Sequence, residues 1–139
     1  MLTDDAMRPG RQKRLEREQA TRERVLDAAE VEHALAGFDE ARIHGIADRA
    51  RVALGTLYGL YASKHELHVA VHERRLAALF TSVAAAMMDE PTALGMIRGG
   101  MRAWVAYFCA HPDYLAMHLR DGQAWSTTTH LRSEVQREG

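Results

Sequence analysis

Between Gly55 and Lys64 the chain sets out hydrogen-bond donors at short intervals: Thr56 and Tyr58 carry hydroxyls, Lys64 carries an ammonium, and Gly55 and Gly59 carry no side chain. Hydroxyls and a cation this close together suit phosphate oxygens, a chemistry of positioning rather than bond breaking. Gly55 adds a second property. A backbone without Cβ can approach a flat partner closely, even though glycine inside a helix costs about 1 kcal/mol relative to alanine. A separate group, His65, His68 and His72, falls at i, i+3 and i+7, so that on a helix the rings share one face with Glu73 nearby. That spacing suits a divalent metal, but arginines surround it; a solvated face or a contact with the neighbouring domain is expected instead, with no metal site and no cofactor. Catalysis lacks its parts. Ser63 sits at a helix cap, Cys109 lies in an apolar stripe, and no motif joins nucleophile, base and oxyanion donor, so no catalytic residue and no enzyme activity are expected.

The elements that must hold these residues are helices. Charged residues make up 27% of the chain, aromatics 6%, and only three prolines interrupt it, which together with abundant Ala, Leu, Arg and Glu predicts an all-α fold. A first helix is predicted over residues 21–36, started by Thr21, ended by Gly37 as a left-handed residue, and carrying Val25, Ala28 and Ala29 on one face. A second, over residues 42–50, has Ile43, Ile46, Ala47 and Ala50 at i, i+3, i+4 and i+7. The third begins near Ala53 with Leu57, Leu60 and Tyr61 inward and Leu54, Gly55, Thr56 and Gly59 outward; Ala47 is small enough for this helix to cross the second closely. Ser63 and Glu66 form a capping box for a long fourth helix that passes Leu67, Val71, Leu76 and Phe80 and stops near residue 88. A fifth over residues 92–110 places Leu94, Ile97, Met101, Trp104 and Phe108 on one stripe, with Cys109 expected as a core thiol. A sixth over residues 113–120 precedes a polar remainder.

With 139 residues and a net charge of −1, the chain has room for one domain or a small module with part of a second. The charge distribution says more than the sum. Arg8, Arg11, Lys13, Arg14 and Arg17 cluster with only Glu16 among them, which predicts a flexible basic arm over residues 1–20, either solvated or neutralising phosphates. A lone cysteine fits a reducing compartment, the first residues lack the order of a secretory signal, and the longest apolar run, residues 76–88, is shorter than the roughly 20 residues that span a bilayer. A cytoplasmic protein without a membrane partner is expected.

Taken in order, Ala28-Ala29, Gly37-Phe38, Ile46-Ala47, Gly55-Thr56-Leu57-Tyr58, Ser63-Lys64 and Leu67 resemble the tetracycline-repressor-type (TetR) transcriptional regulators, over residues 21 to about 80. The resemblance implies an N-terminal three-helix helix-turn-helix DNA-binding domain, residues 21–67. A partial helical ligand-sensing and dimerisation domain would follow, residues 68–139, short at its C-terminal end. It implies double-stranded operator DNA as partner, met by Arg42, His44, Leu54, Gly55, Thr56, Tyr58, Gly59 and Lys64. Bases would fall to His44, Leu54, Gly55 and Thr56, with Leu54 offering apolar contact to a thymine methyl. A homodimer would set two reading helices about 34 Å apart on a palindrome. Met101, Trp104, Tyr107, Phe108, Met117 and Trp125 are candidates either for a pocket holding a small hydrophobic inducer or for plain core packing. The alternative is a helical interaction protein, or a degenerate regulator that has lost operator binding.

Three departures from the family pattern stand out. Glu32 and His33 replace a Leu-Phe pair that would point to the core, so Glu32 needs a partner, His33 or an arginine, unless the helix turns to use Val31 and Leu35. Arg51 stands where the turn between second and third helices normally has glycine, at a cost of roughly 1 to 2 kcal/mol if the backbone there is left-handed. Ala41-Arg42 replaces the usual capping Thr or Ser, losing about 1 kcal/mol unless Asp39 caps instead.

Overall fold

Nothing in the residues after Gly10 breaks a helix until Gly37. The first helix, α1, accordingly runs Pro9–Glu40, with proline in the opening turn, where its missing N–H costs nothing. The computed structural model describes residues 9–120, and among them the chain is all-α, with six helices and no strand. Residues 9–20, expected as part of a flexible arm, are helical. Side-chain bonds one turn apart support them: Gln12 donates to Glu16 and Gln19 to Glu23, each at 3.1 Å, and Arg22 pairs with Glu18 at 3.1 Å. Arg8 and the earlier part of that arm lie outside the described residues. At Gly37 the backbone takes φ 79° and ψ 169°, which kinks the helix and leaves a last turn that carries Phe38 back toward the body of the protein.

Five more helices follow: α2, Ile43–Ala50; α3, Leu54–Leu60; α4, Lys64–Met88; α5, Ala93–Ala110; and α6, Pro112–Arg120. The predicted boundaries of α2 to α6 agree to within a residue or two. Ser63 caps α4 by accepting from the Glu66 amide at 3.1 Å, while the Glu66 carboxylate accepts from the Ala62 amide at 2.9 Å, one residue ahead of the usual reciprocal bond. Thr92 caps α5 by accepting from the Gly95 amide at 3.0 Å. No helix among the described residues is long and apolar enough to cross a membrane.

One core joins all six helices. Val25, Ala28 and Ala29 of α1 meet Ile46, Ala47 and Ala50 of α2, Leu57 of α3, Leu67 and Val71 of α4, Phe108 of α5, and Tyr114 and Met117 of α6. Each large aliphatic side chain withdrawn fully from water here contributes about 1.5–3 kcal/mol. Beside the core, Glu30 of α1 is buried and forked by Arg75 of α4, Nε to Oε2 at 2.6 Å and Nη2 to Oε1 at 2.7 Å. Arg75 also donates from Nη1 to His111 Nδ1 at 3.0 Å, so the corner between α5 and α6 is tied to the same pair. Burial alone would lower the Arg75 pKa, but the Glu30 bonds and charge outweigh it and raise it above the ordinary guanidinium value.

Helix α5 corrects two expectations. Its predicted stripe of Leu94, Ile97, Met101 and Trp104 is exposed, and only Phe108 of that set is buried. The buried face is set instead by Gly99 and Gly100, where an added Cβ would lie 2.7 Å from the Ala86 carbonyl oxygen and 3.0 Å from Met87 Cγ, so α5 lies against α4 through its smallest residues. Cys109 falls outside that face and is exposed rather than a core thiol. In the second half of α4, Leu79 is buried, whereas Phe80 is 65% exposed.

Candidate nucleic-acid interface

The α2–α3 pair is built on a closure at Arg51. Arg51 N–H donates to the Asp48 carbonyl at 3.1 Å and Val52 N–H to the Ala47 carbonyl at 3.0 Å, the paired bonds of a Schellman motif. Both bonds require a left-handed residue between them, and Arg51 provides it at φ 57°, ψ 47°, the one non-glycine with positive φ among the described residues. Below the turn, Ile46, Ala47, Ala50 and Leu57 are buried, Val52 and Leu60 partly so, and they fill the wedge that fixes the crossing of the two helices. The N-terminus of α2 receives no side-chain cap from Arg42, and among the described residues no bond from Asp39 replaces it.

This wedge leaves one polar strip outside. Gly55, Thr56, Tyr58 and Gly59 of α3 are exposed, as are Arg42 and His44 at the start of α2. A Cβ added at Gly55 or Gly59 would meet nothing within 4 Å, so the free protein has no packing need for glycine at either position. Leu54 is only half-exposed, because part of its side chain rests on the core. Lys64 is more committed than the sequence suggests. Its Nζ donates to the Asp39 carbonyl at 3.0 Å and the Ala41 carbonyl at 3.3 Å and lies 4.8 Å from the centre of the Phe38 ring, so it ties the start of α4 to the end of α1. Two of its three ammonium hydrogens are thereby engaged.

The unusual pair on α1 is accommodated in two ways. Glu32 Oε1 accepts from Arg49 at 3.0 Å and 3.2 Å, and its carboxylate lies beside Gly45, where a Cβ would come within 3.5 Å of it. The helix does not turn to bury Leu35, which is 65% exposed. His33 enters the interior, and its Nδ1 lies 3.0 Å from Nδ1 of His68. His68 is in turn stacked edge-on to His72 with ring centres 4.9 Å apart, and His72 Nδ1 lies 3.4 Å from the Tyr114 hydroxyl. His68 and His72 are therefore core residues bridging α1, α4 and α6 rather than a solvated face, and only His65 is exposed. Among the described residues no group of three or more His, Cys, Asp or Glu is arranged to hold a metal ion.

The six candidates for an inducer pocket do not line one cavity among the described residues. Phe108 and Met117 are buried in the core, and Tyr107 packs at a tilt against His111 with ring centres 4.4 Å apart. Met101 and Trp104 line an open apolar groove of about 490 Å³ with Val83, Met87, Ile97, Gly100 and Val105. Trp125 lies outside the described residues. Glu32 finds the arginine partner it needs in Arg49, 17 residues on, whereas the Glu30–Arg75–His111 group has no local signal in the sequence, since its members pair across 36 to 45 residues.

A short helix carrying exposed hydroxyls, set across a second helix by a left-handed turn and a small-residue wedge, has the arrangement of a helix-turn-helix unit. Residues 25–71, which contain that unit, match the bacterial regulatory proteins of the tetR family. It is 32% identical over 120 residues to the HTH-type transcriptional repressor SCO4008 of Streptomyces coelicolor, an alignment covering 86% of this chain and 58% of that protein. Its fold is similar to that of a TetR-like transcriptional regulator from a Rhodococcus species, with TM-score 0.69 and 23% identity over 84% of this chain and 64% of the other. A solved Streptomyces coelicolor protein, SCO4942, superposes with TM-score 0.62 and 25% identity, covering 86% of this chain and 66% of that one. The chain thus spans somewhat over half the length of the curated relative it matches.

Proposed function

We propose that the protein is a cytoplasmic repressor that binds a palindromic DNA operator as a homodimer and releases it in response to a small hydrophobic ligand. The observation that supports this best is the exposed strip of α2 and α3, where glycines with open space around them alternate with hydroxyl donors on a helix whose angle is fixed from below. On this proposal Thr56 and Tyr58 donate to phosphates and set the register, and His44 and Thr56 reach base edges where the bare backbone at Gly55 and Gly59 allows close approach. Leu54 gives the edge of its side chain to a thymine methyl, and Arg42 adds charge at the uncapped start of α2. Lys64 serves mainly to hold α4 against the loop before α2, with one ammonium hydrogen left for a phosphate. Residues 21–67 form the DNA-binding part, and residues 68–139 contribute to the sensing and pairing part.

The test is selection of bound fragments from the source genome by the full chain, combined with a mass measurement in solution and on the selected fragment. The proposal predicts enrichment of one inverted repeat with half-sites about one helical turn apart and a mass of two chains per site. A single copy per fragment, or enrichment without sequence preference, would refute it.

A further inference from the structure

The first four turns of α1 project beyond the core as an exposed rod, and its charges are sorted by face except for Glu18, which pairs with Arg22. At about 100° per residue, Lys13, Arg14, Arg17 and Arg24 fall within an arc of about 100°, while Gln12, Glu16, Gln19 and Glu23 occupy an arc of about 60° on the other side. The acidic and amide side is already used. Glu16 and Glu23 accept from Gln12 and Gln19, and Arg74 of α4 binds Glu23 at 3.0 Å and Asp27 at 2.7 Å, which turns that side toward α4. The basic side is not used: among the described residues no carboxylate lies within ion-pair distance of Lys13, Arg14 or Arg17, and all three are exposed. Followed along the helix, the same side reaches Arg24, Ala28 and Val31, which meet Arg49, Ala50 and Arg51 across a groove of about 470 Å³ with Asp27, held by Arg74, at its edge. The row of cations therefore leads from the projecting rod to the end of α2, on the half of the protein that carries the α2–α3 turn.

We propose that this basic side of α1 is a second phosphate-binding surface, which grips duplex DNA flanking the bases met by α3; this rests on the proposed DNA-binding function. From Lys13 to Arg24 the row is about 17 Å long, which on one strand of B-form DNA matches about five phosphates at about 3.4 Å of axis each. A rigid, straight row of cations complements a regular duplex backbone. No aromatic residue occurs in residues 9–24 to stack exposed bases, so single-stranded nucleic acid is a poorer fit. The surface adds affinity without sequence information, because phosphates are the same at every step.

The test compares the full wild-type chain with the triple variant Lys13→Gln, Arg14→Gln and Arg17→Gln. Binding to a 30-base-pair operator fragment and to an unrelated duplex of equal length is followed by fluorescence anisotropy from 50 to 200 mM salt. Loss of three phosphate contacts lowers the log–log salt slope by about 2.7, so the variant's affinity should fall about 40-fold less than the wild type's over this range. The expected loss in affinity at low salt is equal on both duplexes, leaving the preference for the operator unchanged, with the melting temperature of the exposed-site variant also unchanged. An unaltered slope would overturn the inference even where the operator is bound selectively. A slope that falls as expected in a protein without sequence preference would support the basic surface and sink the repressor proposal. Absence of duplex binding by the wild type would overturn both.

Discussion

Replacing Arg51 by glycine should stabilise the protein, and the geometry sets how much. Arg51 holds φ 57° and ψ 47° because two closing bonds, to Asp48 and Ala47, admit no other conformation at that position. A residue with a Cβ gives up about 1–2 kcal/mol in this region. Glycine does not, but it has more freedom to lose from the unfolded chain, which offsets about 0.4–1 kcal/mol. Losing a cation beside the C-terminus of α2 subtracts a few tenths more. The net gain is about 0.5–1 kcal/mol, or a rise of roughly 2–5 °C in Tm for a chain of this size. Thermal and urea unfolding of the full chain would measure it, with Arg51→Ala as the control that loses the same charge and keeps the Cβ. Arg51→Gly should exceed Arg51→Ala in both measurements. Equal stabilities for the two variants, or a lower Tm for Arg51→Gly than for wild type, would refute the argument that the turn is strained.

Other consequences follow from the framework and the caps. Glu30→Ala should destabilise the fold by about 3–5 kcal/mol in urea titrations, because Arg75 is left half-buried with its bidentate partner gone. Burial and then the charge of Arg75 hold His111 below its ordinary value of 6.5, since the neutral ring accepts the Arg75 bond. Its stabilising effect is therefore complete above about pH 6.5 and is lost as the pH falls through the lower folded value. The stability difference between wild type and His111→Gln should accordingly shrink from pH 7.5 toward pH 5, as read from urea midpoints; a constant difference would contradict this. Arg42→Ser should add about 1 kcal/mol by capping α2, detectable as a higher Tm, while weakening DNA binding through the lost charge.

The elements that were legible in the sequence are those in which local chemistry and tertiary packing agree. The i, i+3, i+4, i+7 stripe of α2, the Ser63 cap, the inward Leu57 and Tyr61, and the left-handed strain at Arg51 all rest on interactions within a few residues, and all are present. Helix α5 misled because its apolar stripe competes with Gly99 and Gly100: close approach of backbones at Ala86 and Met87 selects the glycine face and leaves Met101 and Trp104 outside. The rod at the start of α1 was obscured by its charge density, which resembles a solvated tail until the one-turn pairing of Gln12, Gln19 and Arg22 with glutamates is counted. Glu32 finds Arg49, and His33 finds His68, through contacts 17 and 35 residues away in the chain, which periodicity does not encode. The candidates on α2 and α3 follow from the family resemblance and, for Thr56 and Tyr58, from their hydroxyls, while the internal engagement of Lys64 and the partial burial of Leu54 required the tertiary fold.

The central claim is that the exposed backbone of α3 meets DNA, and Gly55→Ala tests it most directly. In the free protein an added Cβ at this position meets nothing within 4 Å, so the variant should gain up to about 1 kcal/mol of stability from better helix propensity. On the selected operator fragment its affinity should fall by about tenfold or more, equivalent to about 1.4 kcal/mol, because the methyl group occupies the space that a base edge needs. A stabilised variant that binds the fragment as tightly as wild type would contradict the account.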